Sequence, residues 1–478
     1  MESPATPQLA DLDAAQLSAA YAAGDANPVD VVTACLQRMD AYEPALRAMA
    51  ERFDHQALAA AESSRRRWER GEPLGVLDGV PFTLKENQQV AGYPTILGSA
   101  STEPVPAEHN APVADQALAA GACLLGRTTM SELGMLSSGI SSAHPITRNP
   151  WNPEWSPGGS SGGAGAASAA GYAPINLGSD IGGSIRLPAS WCGVAGFKPT
   201  YGRISVDPPY PGRTIGPMGR SVADVARSMS VLTGTHSADP WSLPKDATDW
   251  SDLSINPAGL RVGVLLDVGD GTAVDPEVAS VIRQAAETFA AAGAEVIEMP
   301  PYLAPGTVSL IDRFWRASHW RKYTALSPER QAKVLPFIAE WCRGASRITA
   351  EEALAAHDAQ IDLGRKVLSA TERFDVVLSP VSPGPAFPAE WPMPSNNVES
   401  AMSHIHFCVG YNFSGMPAIS VNGGFTTAGS PVGVQIAARR YQDRTALAAA
   451  AFFESERPDD ASQPWPRLDL VDHRTPAR

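Results

Sequence analysis

Short apolar runs that stop in charge or glycine, alternating with alanine-rich stretches of helical period, restrict this chain most. The clearest unit is "LRVGVLLD" from Leu260, then "DPEVASVIRQAAETFAAAG" from Asp275, then "AEVIEMP" from Ala294, which reads as strand, helix, strand. The runs "VPFTLKEN", "ACLLGRTTM", "YAPINLGSD" and "FDVVLSP" repeat the strand part. "PAISVNGG" and "SPVGVQIAAR" pair late in the chain, and "DRTALAAAAFFESE" closes it as a helix. Strands fed through helices build a sheet whose two faces are both covered. The expected fold class is therefore α/β, with a central mixed, mostly parallel twisted sheet and helices on both faces.

The 478 residues read as a single unit, 1–478. Residues 1–70 form a helical segment, with Gly24 and Pro28 separating its first two helices. Residues 71–235 carry the glycine-serine blocks described below. Residues 236–259 are polar and aperiodic and read as a surface crossing. Residues 260–302 are the strand-helix-strand unit, and 366–478 hold the last strands and helix. Between them, 303–365 is helical and aromatic. That segment is either a flap with a small core of its own or, in part, the wall of a substrate funnel, for which Phe314 and Trp315 are candidates.

Charge and composition narrow the partners. A formal net charge of −14 argues against nucleic acid, whose phosphates need a basic face. No run approaches the roughly 20 apolar residues of a membrane helix, and "MESPATPQLADLDAAQL" lacks the basic start and apolar run of a secretion signal. The 5 cysteines are scattered without a Cys-x-x-Cys pair and read as reduced thiols. The expectation is a cytoplasmic monomer or homodimer acting on a small molecule.

The stretch "WSPGGSSGGAGAASAAGYAPINLGSDIGGSIRLPASWCG", Trp155 to Gly193, holds two glycine-serine blocks. It is not a mononucleotide cradle, because no Gly-Lys-Ser/Thr follows the glycines. It is not a flexible linker, because apolar strand and helix material interrupts it. An acyl-transfer site accounts for it better. A carbonyl attacked by a serine becomes an oxyanion, which converging backbone N–H groups stabilise. Ile181, Gly182, Gly183 and Ser184 can supply them, and Ser184 sits in the same turn. A serine needs a base, yet none of the 9 histidines lies in a triad pattern. His404-x-His406 is better read as packing than as a metal pair, since no third ligand is spaced to join it.

"GVPFTLKEN", "SPGGSSGGAGA" and "GSDIGGSIRLPASWCGVAGFKPTYGRIS", in that order and at those separations, resemble the amidase signature family. "TRNPWN", "FDVVLSPVSP" and "GMPAISV" extend the resemblance from about residue 8 to about residue 455. It implies the amidase-signature fold, with 71–235 as the catalytic core and 303–365 as a substrate cover. It also implies that Ser184 attacks, that Ser160, on a cis peptide, relays protons, and that a neutral Lys85 is the base, with no metal and no cofactor. Asp180, Arg186, Ser161 and Ser179 would brace the site, and Gly134 and Met135 would border the substrate. Glu86 stands where the family often has aspartate, and Arg127-Thr128-Thr129-Met130 departs from its usual strand. Neither removes a catalytic atom, and the second bears on the wall near Gly134 and so on specificity. The implied reaction is hydrolysis of small, apolar or aromatic amides. The alternatives are carbamate hydrolysis by the same residues and a role within a transamidation complex.

Overall fold

The computed structural model describes residues 9–245, 247–458, 465, 466 and 468; the two ends of the expected 1–478 unit thus extend beyond the described residues. Eleven strands form one sheet: β1 (Met49–Arg52), β2 (Pro81–Lys85), β3 (Cys123–Thr128), β4 (Ile175–Asp180), β5 (Ala195–Lys198), β6 (Thr214–Gly219), β7 (Arg261–Val264), β8 (Glu295–Glu298), β9 (Val376–Pro380), β10 (Ala418–Phe425) and β11 (Pro431–Ala438). Their order across the sheet is β1-β3-β2-β4-β6-β5-β10-β11-β9-β7-β8. The sheet is mixed, but it is not mostly parallel. Parallel pairing is confined to β3-β2-β4 and to β9-β7-β8, and every other neighbouring pair is antiparallel. The central strands β2, β4, β9 and β11 are buried throughout, as strands covered on both faces must be.

The functional stretch folds around two short buried helices. Gly162–Ala170 begins just after Ser160 and Ser161, and Arg186–Cys192 begins just after Ser184 and Ile185. Glycine and alanine dominate the first of these because the backbone is approached closely. A methyl group at Gly163 would lie 2.5 Å from the Thr129 nitrogen. Residues 236–245 and 247–259 contain neither helix nor strand, although Trp250 and Asp239 are buried.

The segment 303–365 contains the helices Thr307–Thr324, Pro336–Arg343 and Ala350–Thr371. It does not have a core of its own. Ile311, Trp315, Ile338 and Trp341 share one apolar cluster with Leu187, Trp191, Ile405 and Phe407 of the main body. The cover is therefore fixed against the wall that carries the glycine-serine blocks. No helix among the described residues is long and apolar enough to cross a membrane. The cysteines are all unpaired and buried.

Candidate active site

Lys85 is the last residue of β2 and Asp180 the last of β4, its parallel neighbour, so both emerge at the same edge of the sheet. Ligands of α/β sheets gather at such carboxyl ends. Lys85 is 0% exposed. Its Nζ lies 2.8 Å from Ser160 Oγ, 2.9 Å from Ser161 Oγ and 3.1 Å from Ser179 Oγ. No carboxylate pairs with it among the described residues. Burial lowers its pKa well below the usual lysine range, and the Arg213 charge pushes the same way against the opposing pull of Asp180 and Glu86.

The three serines are not equivalent. Ser161 donates its O–H to the Ser179 carbonyl at 3.1 Å, so toward Lys85 it can only accept. Ser179 accepts a second bond from Asn87 Nδ2 at 2.9 Å. Ser160 follows a cis peptide from Gly159 and lines the cavity. Gly159 leaves no room for a side chain, since a methyl group there would sit 2.6 Å from the Ser138 carbonyl oxygen.

Ser184 is half-buried and faces the same cavity. Its carbonyl accepts from the Ser161 N–H at 3.2 Å, which ties the two glycine-serine blocks together. Among the described residues no hydrogen bond joins the Ser184 and Ser160 hydroxyls. Catalytic hydrogen bonds are often open until substrate binds. The glycine turn differs from the sequence expectation at one residue. The Gly183 N–H donates to Asp180 Oδ1 at 2.8 Å and is committed there. The Ile181, Gly182 and Ser184 N–H groups have no partner in the described residues, so three donors rather than four remain open. Gly183 has φ of +114, and a side chain there would meet Cys408.

Asp180 and Arg186 do not touch the cavity. Both are 0% exposed and form a two-pronged ion pair, with Nη2 to Oδ1 at 2.8 Å and Nε to Oδ2 at 3.1 Å. Arg186 also donates to Gln435 Oε1, the Asn412 side-chain oxygen and the Cys408 carbonyl. Burial alone would raise the Asp180 pKa, but the Arg186 charge and the bonds from Arg186, Asn412 and the Ile185 N–H hold it far below the carboxylate range. This pair clamps the turn that carries Ser184.

The cavity has a volume of about 460 Å³, within the usual range of small-molecule sites. Gly134, Met135 and Trp315 line it, and Trp315 packs directly over Gly182. Phe314 does not line it. One position earlier on the helix, its ring turns away to lie 5.3 Å from His357. Glu86 is also turned aside, accepting from the Met130 N–H at 3.1 Å and pairing with His144 at 3.0 Å. His404 and His406 diverge, to the Ser137 hydroxyl and the Ser403 carbonyl respectively. The sequence reading missed Asn87, Arg213 and Lys322. Asn87 lies two residues beyond Lys85 in the same quoted run. Arg213 comes from the loop after Pro208 and Lys322 from the cover, with no motif to mark either.

The Amidase family model matches residues 30–447. An acylamidase of Rhodococcus erythropolis is 36% identical over 459 residues, covering 94% of this chain and 96% of the relative. A component of the glutamyl-tRNA(Gln) amidotransferase of Chloroflexus aurantiacus is 34% identical over 479 residues, covering 92% of this chain and 95% of the relative. Among solved structures, a bacterial aryl acylamidase of the amidase signature family superposes with a TM-score of 0.83 at 27% identity, covering 93% of this chain and 96% of that one.

Proposed function

The chain belongs to the amidase signature family, and on that premise we propose that it hydrolyses small, apolar or aromatic amides through an acyl-enzyme on Ser184. The observation that carries this reading is Lys85, buried without a carboxylate and held by three serine hydroxyls. A buried lysine of this kind is neutral, and a neutral amine has two N–H bonds and one lone pair. Ser161 and Ser179 take the two N–H bonds, and Ser160 points its proton at the lone pair. Ser160 can then accept the Ser184 proton as it passes its own to Lys85.

Attack by Ser184 Oγ places negative charge on the substrate oxygen. The N–H groups of Ile181, Gly182 and Ser184 receive it, while the Gly183 N–H keeps the turn on Asp180. Ser160 returns a proton to the leaving nitrogen, because an amide anion is too basic to depart. Water then attacks the acyl ester by the same relay. Met130, Leu133, Met135, Trp315, Met402 and Ile405 supply the apolar wall.

A carbamate presents the same carbonyl to the same residues, so it is the second reading within this chemistry. Free glutamine fits less well. Its ammonium group needs an acidic partner, and no aspartate or glutamate lines the cavity among the described residues. The test is labelling with a fluorophosphonate followed by peptide mass analysis. Ser184 should carry the adduct, and Ser184→Ala should carry none; an adduct on another residue would sink the assignment. With the labelled residue known, kcat/KM for an N-aryl acetamide against the N-aryl methyl carbamate of the same amine separates amidase from carbamate hydrolase. A ratio strongly above one supports the amidase, and a ratio at or below one supports the carbamate hydrolase.

A further inference from the structure

The wall of the cavity is chemically lopsided. Its titratable side chains are Lys85, Tyr210, Arg213, His319 and Lys322, and none of its lining residues is acidic among the described residues. Two of the cations lie outside the proton relay. Arg213 and Lys322 enter from different parts of the chain, the loop after Pro208 and the helix Thr307–Thr324 of the cover.

Arg213 is half-buried, and it differs from the fully buried arginines. Arg186, Arg203 and Arg316 are each paired with an aspartate, and Arg127 with Glu51. Arg213 forms no ion pair among the described residues. Its Nη1 donates to the Pro208 carbonyl at 3.1 Å. Its Nε is sealed from solvent with no partner, and Nη2 makes no hydrogen bond among the described residues. Nη2 is thus the donor of this guanidinium left open to an anion, with the buried Nε beside it also unsatisfied. Asp207 and Tyr210 act on this charge only through space, and burial outweighs them to lower its pKa. Lys322 is exposed and forms no ion pair among the described residues, and partial desolvation followed by the Arg321 and Arg213 charges lowers its pKa. His319, on the same wall, is held down to about 4 by burial and the Lys322 charge, so it adds no cation at neutral pH.

Leaving a guanidinium half-buried and unpaired is costly unless something else supplies the anion. We propose that the amide hydrolysed here carries a carboxylate, held by Arg213 and assisted by Lys322 at the mouth of the cavity. This rests on the amidase reading above and deepens it to a substrate class: an apolar or aromatic amide with an acidic end, and no ammonium group. Neutral amides would fill the apolar wall but leave Arg213 without an anion. Zwitterionic amino acid amides would bring a cation to a site that already holds an excess of them.

The experiment uses two matched pairs, because the carboxylate can sit on the amine side or the acyl side of the bond. One pair is para-acetamidophenylacetate against para-ethylacetanilide. The other is N-phenylglutaramate against N-phenylpentanamide. The quantity read is the ratio of kcat/KM within each pair, since Arg213 also acts on Lys85 and absolute rates mix the two effects. The expected result is at least a tenfold preference for the carboxylate in one pair. That preference should collapse in Arg213→Gln and weaken in Lys322→Gln. Preference for the neutral member in both pairs, or a preference that Arg213→Gln leaves unchanged, overturns the proposal.

A second measurement needs no turnover and no variant. Labelling of Ser184 by a fluorophosphonate is followed with 3-phenylpropionate or 3-phenylpropanamide as protector. The carboxylate should protect at a concentration at least tenfold lower. Failure to protect better than the amide overturns the carboxylate proposal while leaving Ser184 labelled. Failure of Ser184 to label at all overturns the amidase reading instead, so the two failures are distinguishable.

Discussion

Lys85, at the end of β2, and Arg186, at the start of the helix after β4, are both wholly buried basic side chains, yet their surroundings are opposite. Arg186 is given every partner a guanidinium can use: a carboxylate, two amide oxygens and a carbonyl. Lys85 is given three hydroxyls and no carboxylate. The first environment keeps a charge in place, and the second disfavours one. A charged clamp fixes the Ser184 turn, and an uncharged amine beside it can serve as a base at neutral pH. In the proposed mechanism one is architecture and the other chemistry, and their partners rather than their burial make the difference.

The sharpest way to break this comparison is to remove the base. Lys85→Ala should lower kcat/KM for an anilide by roughly 10²–10⁴-fold, the usual span for a positioned acid-base group. It should lower hydrolysis of an activated ester far less, because a phenolate leaves without a proton. Equal losses on amide and ester would count against the relay. Asp180→Asn acts on the other side of the comparison. It strands Arg186 as a buried charge and should cost about 3–5 kcal/mol of stability, read by denaturant unfolding. A stable Asp180→Asn protein would mean that the pair is not the clamp described here.

The pH profile sharpens the same contrast with smaller effects. In the proposed mechanism Lys85 works only when neutral, so kcat/KM should fall as pH drops through its lowered pKa. The charges acting on it are Arg213, which pushes that pKa down, and Asp180 and Glu86, which pull it up. Arg213→Gln should therefore move the acid limb to higher pH, and Glu86→Gln should move it to lower pH. Each shift should be on the order of half to one pH unit, where one unit corresponds to about 1.4 kcal/mol. Two shifts of the same sign would show that the limb belongs to another group.

Much of this was legible in the sequence, for physical reasons that vary by residue. The glycine-serine blocks and the run through Lys85 are local patterns that carry the family resemblance, and through that resemblance the residues that the structure gathers around Ser160 could be named in advance. The partners of Arg186 could not. Gln435 and Asn412 lie far along the chain, and nothing in "SPVGVQIAAR" or "HFCVGYNF" marks an amide aimed at a distant guanidinium. Strand β6, "TIGPMG", has neither alternation nor β-branched density, and β1, "MAER", is a short edge piece. Both are antiparallel to their neighbours, which is one reason the sheet is less parallel than the strand-helix alternation suggests. Phe314 and Trp315 were indistinguishable because the cover helix carries aromatics on more than one face. Only its docking decides which ring meets the cavity. Arg213 was invisible because an unpaired cation is defined by what is absent around it in space.

A third buried basic side chain lies between these two cases and should leave the activity where it is. Lys198, at the end of β5, is wholly buried and donates to the Pro199 carbonyl at 2.9 Å. Burial, and after it the Arg186 charge, push its pKa down to about 7 from the ordinary 10.5, against the pull of Asp180 and Asp443. Between those two values the unfolded chain binds more protons than the folded one, so stability rises with pH across that window. The penalty is fully present below the folded value and is gone above the unfolded one. Lys198→Met should flatten this slope and raise the unfolding free energy at neutral pH. It leaves Lys85 and its hydroxyls in place, so the acid limb of kcat/KM should stay where it is. A variant that keeps the stability slope would mean that Lys198 is already satisfied in its charged form. A variant that moves the acid limb would mean that this third side chain belongs with Lys85 in the chemistry rather than with Arg186 in the architecture.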